Sequence, residues 1–345
     1  MKLDKIVQFL KEWMLVVSMV AGVAAYFIFI ELPLGPEVHQ AAHTALEIVQ
    51  PVLLFSMLFL SFCRLDIHDF RIRGWHKWLI AVQSLFFLGI AAVIIMIPPG
   101  DLRVVLEGAL LCMICPTATA SAVIVRKLDG DVAGVTTYLI MINIVVAILI
   151  PVVSPYIHPH AGMGVLSAML LILAKVFPLL LMPLICAMAV RKWWPRLHRY
   201  LSSRSDFSFY LWAVALALAL TVTTRSIVHS TVSVWTQLAL VVVSLICCVL
   251  QFKLGWLFGR RYGDHITAGQ ALGQKNTVFV IWLGYTFFSP VTAVVGGFYS
   301  IWHNIINSWQ LYRHEHHKAA AAPPRKVVAV VSEKPRRKPR CKAVK

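Results

Sequence analysis

Apolar residues fall along this chain in runs of about twenty, separated by short polar segments. Ten such runs are legible, at 12–31, 43–63, 76–98, 105–126, 132–155, 163–190, 207–228, 233–258, 266–288 and 291–312. About twenty residues of helix cross the roughly 30 Å hydrocarbon core of a bilayer, so the pattern predicts an all-α integral membrane protein of ten transmembrane helices. Two runs are interrupted near their middles. The fourth contains Pro116 followed by Thr117, Thr119 and Ser121, and the ninth carries Gln270, Gln274, Lys275 and Asn276. Backbone freed by an interruption cannot face lipid, since an unpaired N–H or C=O there costs several kcal/mol. It must lie within protein or line a cavity. The interrupted runs are five apart in order, as expected of a five-plus-five inverted repeat with two broken crossing helices, spans 4 and 9, at a midplane site.

Composition agrees with this reading. Hydrophobic residues make up 59% and charged residues 14% of the chain, against roughly 45–50% and about 25% in soluble domains. Positive charge sets the orientation. Basic residues precede the first run (Lys2, Lys5, Lys11) and follow the second (Arg64, Arg71, Arg73, Lys77), fourth (Arg126, Lys127), sixth (Arg191, Lys192, Arg196, Arg199, Arg204) and eighth (Lys253, Arg260, Arg261). The alternate loops hold only Arg103 and Arg225. Ten spans in the cytoplasmic membrane, with both termini cytoplasmic, satisfy this asymmetry. The first run is too long for a cleavable signal and is expected to stay as an anchor.

Residues 313–345 hold eleven Lys/Arg against two Glu, about half of the net +17. Rich in proline and charge, this segment is expected to be a disordered basic cytoplasmic tail. Beside a helix end, attraction to anionic lipid is a plainer role than nucleic-acid binding, and no nucleic-acid partner is expected. The alanine run and Pro323-Pro324 read as a linker. His314, His316 and His317 suggest a metal cluster, but a short juxtamembrane tract is more simply solvated. Cys112 and Cys115 form a C-x-x-C inside an apolar run, where two small hydrophobes are the simpler reading. Trp75, Trp78, Trp193, Trp194 and Trp256 cluster near the basic loops, as interfacial belts do. No metal, cofactor or enzyme motif is expected: the chain has no Gly-rich phosphate loop, no H-E-x-x-H and no soluble segment holding a nucleophile with its base.

Three segments carry a resemblance. CPTATASAV with KLDGDVA around the fourth run, ALGQKNT in the ninth and FYSIWHNIINS in the tenth are similar to the corresponding segments of the bile acid:sodium symporter family. The resemblance covers nearly all of residues 10–312. It implies panel helices 1–2 (1–64) and 6–7 (159–230), core helices 3–5 (65–158) and 8–10 (231–312), and substrate bound in the crevice between panel and core. It also implies sodium held by oxygens at the crossover. Here the family's acidic position falls on Ala271, its glutamine on Lys275, its asparagine on Ala122 and two hydroxyl positions on Val135 and Leu139. Thr119, Ser121 and Asn276 are kept, and Gln83 sits near a family glutamine. At ~4 Å and an effective dielectric of about 20, two unit charges interact by roughly 4 kcal/mol. With ligands lost and a lysine added, the usual sodium sites are not expected to survive.

The expected function is therefore secondary active transport of a small organic anion by alternating access, not coupled to sodium in the usual way. The alternative is a non-transporting sensor or scaffold that binds a ligand with the same fold. Candidate substrate- or ion-binding residues are Lys275, Asn276, Gln274, Thr119, Ser121 and Gln83. Lys175 in the sixth run is a further candidate, and His303 and Asn304 have a structural role as their competing reading. Three roles are open to Lys275: a fixed cation in place of sodium, a titrating group that couples transport to protons, or a direct ligand for the anion. Glu47 and Glu107 are candidate partners for a lysine. Reporter fusions test the topology: the N-terminus, the 191–206 loop and the tail should all report from the cytoplasm, and a tail outside would refute ten spans.

Overall fold

The computed structural model describes residues 14–33, 35–65, 70–159, 162–203, 205–230 and 232–321. Every regular element among them is a helix: α1 Met14–Glu31, α2 Pro36–Cys63, α3 Gly74–Met96, α4 Asp101–Ile114, α5 Ser121–Lys127, α6 Val132–Ile157, α7 Val165–Leu180, α8 Met182–Trp193, α9 Pro195–Ser203, α10 Ser205–Val228, α11 Val234–Arg260, α12 His265–Gly273, α13 Thr277–Phe287 and α14 Pro290–Ala321. Five of them contain apolar stretches long enough to cross a bilayer, and the α7–α8 pair, bent by 42°, makes a sixth. The surface has the matching character. Leu85, Val93, Ile95 and Met96 of α3 are exposed, Met96 to 84%, on a face that water would not favour. This is the make-up of a multi-pass helical membrane protein.

Each predicted apolar run forms one helix or a broken pair, and the differences have local causes. The run at 163–190 divides at Leu181 because Pro178 and Pro183 flank it, and proline removes a helix donor and clashes with the preceding turn. A short amphipathic helix, α9, occupies a stretch expected to be loop. The last helix runs on to Ala321, so residues 313–321 are not the disordered tail expected of them. There His314 Nε2 lies 3.0 Å from Asp129 Oδ2 and Lys318 pairs with the same carboxylate, which holds this extra turn against the loop between α5 and α6. Residues 1–13 and 322–345, with the remainder of the tail, lie outside the described residues. Trp75 is not part of an interfacial belt: it is fully buried and donates to Asp264 Oδ2 at 3.2 Å.

Packing partners recur with an offset of half the chain. Helix α3 packs on α4 and α6, and α11 packs on α12 and α14; α4 touches α11 and α14, and α12 touches α3 and α6. Helix α1 packs on α10, and α2 packs on α7 and α8. Helices α11 and α12 approach closely: a Cβ on Gly255 would lie 2.4 Å from the Ala268 carbonyl oxygen and one on Gly259 2.5 Å from the Ala268 Cβ. Gly255 and Gly259 form a small-xxx-small face, the usual means of bringing two apolar helices into backbone contact. Replacing Gly255 with leucine should lower the thermal unfolding midpoint by an amount equivalent to about 1–3 kcal/mol or more, the usual cost of overpacking. Gly89→Leu is the control, since nothing lies within 4 Å of its Cβ position; equal effects of the two changes in detergent-solubilised protein would refute the close contact.

Candidate functional site

The two breaks meet. Proline at position 116 supplies no N–H to the Cys112 carbonyl, and Gln251 Nε2 on α11 donates to that oxygen instead, at 3.2 Å. The last carbonyls of α4, on Ile114 and Cys115, both accept from Gln83 Nε2 at 3.0 Å. On the other side, the Gly273 carbonyl at the end of α12 accepts from Tyr299 Oη at 2.8 Å, and Ala271 O accepts from Thr117 Oγ1. The extended residues then pair with each other. Ala118 N donates to Gln274 O at 2.8 Å and Asn276 N to Pro116 O at 2.9 Å, forming an antiparallel bridge between Thr117 and Lys275. Backbone left without a helical partner in a dry interior is thereby bonded.

The polar side chains around the crossing are matched across the two halves. Gln83 on α3 accepts from Tyr138 Oη of α6 at 3.1 Å, and Gln251 on α11 donates to Tyr299 Oη of α14 at 3.2 Å. Lys275 is buried, and its Nζ donates to Gln83 Oε1 at 2.9 Å. Asn276 caps α13, its Oδ1 accepting from Phe279 N at 3.3 Å. Gln274 Oε1 and Ser121 Oγ are buried without a protein hydrogen-bond partner, and Thr119 is half-buried. Of the candidate residues, the fold thus brings Gln83, Gln274, Lys275, Asn276, Thr119 and Ser121 to the two breaks. Gln251, Tyr138 and Tyr299 were not singled out from sequence. Gln251 carried a usable signal, a lone amide inside an apolar run, like Gln83.

A cavity of about 850 Å³ lies apart from the crossing, between α1, α2, α7, α10 and α13. Tyr26, Phe29, Trp282 and Tyr285 give it aromatic walls, and Gln50, Lys175, Arg225 and His229 give it polar points. Lys175 Nζ lies 5.7 Å from the centre of the Phe287 ring, and Tyr26 Oη lies 3.0 Å from His229 Nε2. Gln50 is buried, and its Nε2 has no protein acceptor. None of the crossover candidates lines this cavity; among the sequence candidates only Lys175 does. The residue itself is exposed.

Other candidates are tied into the scaffold. Glu107 does not partner a lysine: Arg103 Nε lies 3.3 Å and His158 Nε2 3.1 Å from its Oε1. The Glu47 and His317 side chains lie outside the described ones. His303 is buried against Tyr299, and Asn304 Nδ2 donates back to Ser300 O at 2.7 Å, an arrangement internal to α14. Among the described residues no group of three potential metal ligands occurs. No known protein-family profile matches the chain, and no curated protein matches it.

The two broken helices are also braced at the loop between α5 and α6. Asp131 caps α6 through Gly134 N at 3.1 Å, pairs with Arg73 at 2.7 Å and donates its own N–H to Thr267 Oγ1 of α12 at 2.9 Å. Burial raises the Asp131 pKa, but the hydrogen bonds from Gly134 and Arg73 outweigh it and hold the carboxyl below the usual range. Its contribution to stability is then complete above the unfolded value of about 3.9 and is lost as pH falls through the folded one. Asp131→Asn keeps a capping oxygen and removes the charge. It should destabilise by roughly 0.2–1 kcal/mol at pH 7, since the pair is partly exposed, with the gap to wild type narrowing below about pH 4. Thermal unfolding of both proteins across pH checks this, and a gap that stays constant refutes it.

Proposed function

We propose that this chain is a secondary transporter that moves a small organic anion across a membrane by alternating access, using ten spans arranged as a five-plus-five inverted repeat. The observation that carries the reading is the crossing of two broken helices, α4–α5 and α12–α13, at equivalent ordinal positions in the two halves. Irregular backbone is tolerated at membrane depth where protein encloses it, and paired broken helices of this kind mark transporter sites. The recurrence of packing partners at a half-chain offset supports the repeat. In this reading α1, α2, α7–α8 and α10 form a panel, and the remainder, apart from α9, a core holding the crossover; α1 packs on α10 and α2 on α8 and α10, and α7 and α10 also pack on α6 and α14 of the core. Rocking of one group against the other would expose the space between them to each side in turn.

The cavity between these groups supports the substrate class. It has drug-sized volume, apolar walls and a few polar points, the make-up of a small-molecule site. Lys175, Arg225 and the Gln50 amide favour an anionic head, and the aromatic residues favour an apolar body. With basic loops on the cytoplasmic side, the cavity faces the other side, because its lining comes from the far ends of α1 and α10. The resemblance to the bile acid:sodium symporter family points to the same activity. The absence of the family's acidic residue at Ala271, and of its oxygen ligands at Ala122, Val135 and Leu139, argues against sodium as the driving ion.

The test is a thermal-shift screen of carboxylates and sulfonates on purified protein, followed by counterflow of the best-binding compound in proteoliposomes. Wild type should show saturable counterflow that is unchanged when sodium is replaced by choline. Lys175→Gln should bind that compound at least about tenfold more weakly, since a charged hydrogen bond contributes about 1.5–3 kcal/mol. Binding without counterflow would favour a sensor or scaffold and refute transport.

A further inference from the structure

The short helix α9 is held between two long apolar elements with almost no slack. Trp194, at φ −130° and ψ 66°, ends α8 and is the single residue before Pro195; one residue separates Ser203 from the start of α10. Connectivity alone therefore keeps α9 at the level where α8 and α10 meet the edge of the apolar layer. Nine residues are too few to be held by their own hydrogen bonds, so the helix depends on what surrounds it. One side meets protein: His198, Leu201 and Ser202 are half-buried, and α9 packs on α8 and α2. The rest is exposed. Leu197 and Tyr200, one turn apart, are exposed to 45% and 57%, and Trp193 and Trp194 just before them to 65% and 59%. At 100° per residue, Arg196 and Arg199 form a second exposed edge beside Leu197 and Tyr200. From Met182 to Ser203 the chain holds no Asp or Glu. Among the described residues no carboxylate pairs with Lys192, Arg196 or Arg199.

An apolar edge bordered by uncompensated cations is poorly matched to bulk water and well matched to a bilayer surface. Trp and Tyr suit the headgroup level, where the ring is in apolar surroundings and its N–H or O–H stays wet. A helix lying in that plane seats its apolar edge at the acyl boundary and holds its basic side chains among lipid phosphates. We propose that α9 and the end of α8 form a binding surface for anionic phospholipid. Leu197, Tyr200 and the two tryptophans sit at headgroup level, and Lys192, Arg196 and Arg199 meet the phosphates. Bound lipid then pins α9, and through it the packed ends of α2 and α8, at the membrane surface. The proposal concerns this surface and holds whether or not the chain transports.

The experiment is thermal unfolding of the full chain in detergent, titrated with phosphatidylglycerol, with phosphatidylcholine or with inorganic phosphate alone. Phosphatidylglycerol should raise the wild-type midpoint saturably, and less so at high salt; the other two should not. Each basic residue near an anionic surface contributes roughly fivefold in affinity. Arg196→Gln/Arg199→Gln should therefore need at least about fivefold more phosphatidylglycerol for half of the effect, whereas Arg196→Lys/Arg199→Lys, which keeps the charge, should respond like wild type. Arg126→Gln/Lys127→Gln, an exposed basic pair at the end of α5, removes the same charge elsewhere and should leave the response intact. Four results overturn the proposal: no stabilisation by phosphatidylglycerol, equal stabilisation by phosphatidylcholine, equal stabilisation by phosphate alone, or the same loss in the α5 pair as in the α9 pair.

Discussion

The need to bond freed backbone in a place without water governs this structure. A helix crossing an apolar interior satisfies its own N–H and C=O groups, and breaking it exposes several at once. Here two helices break beside one another, and each supplies partners for the other. The Pro116 and Gln274 carbonyls accept from Asn276 and Ala118, and the remaining bonds come from Gln83, Gln251, Thr117 and Tyr299. Neither break is stable without its counterpart, because each would leave carbonyls unbonded among buried apolar side chains. The crossing is therefore a single cooperative unit, and the surrounding helices are placed so that their amides and phenols reach it.

That requirement accounts for the glycine face of α11. Helix α12 has only nine residues before its break, too short to be held by its own hydrogen bonds alone. Close contact with α11 along Gly255 and Gly259 supplies the packing that fixes it, and Gln270 Nε2 adds ties to Asn307 and Gln310 of α14 at 2.9 and 2.7 Å. The Arg73–Asp131–Thr267 brace locks the far end of the same helix. The broken helices thus gain from their neighbours the rigidity that continuous helices have from length.

Polar chemistry divides between two places. At the crossing, Gln83, Gln251, Thr117, Tyr138, Tyr299 and Lys275 are bonded to one another and to backbone, so that region is suited to holding geometry. In the cavity, Lys175 and Gln50 reach a space bounded by aromatic rings and apolar side chains, which is suited to receiving a molecule. About 10 Å of α13 separates Lys275 from Trp282 at 1.5 Å per residue, and this helix is the physical link between the two regions.

The order of apolar runs, the two polar interruptions and the alternation of basic loops are properties of the sequence alone. They follow from bilayer thickness and from the cost of polar groups in hydrocarbon, and they located both breaks to within a few residues. Lys275, Asn276, Gln274, Thr119 and Ser121 were legible because each is a polar residue where apolar ones are the rule, and Gln83 was reached through the family resemblance. Sequence had no means of showing which polar atoms meet. Gln251 and Tyr299 lie 48 residues apart and Gln83 and Lys275 192 residues apart, and only the packing of helices brings them within hydrogen-bond distance. The cavity is likewise a tertiary product, since its walls come from five helices and its aromatic residues are unremarkable within their own runs. The extension of α14 to Ala321 was hidden for a related reason: its polar last turns have no apolar pattern, and they are held by Asp129, a residue 185 positions away from His314.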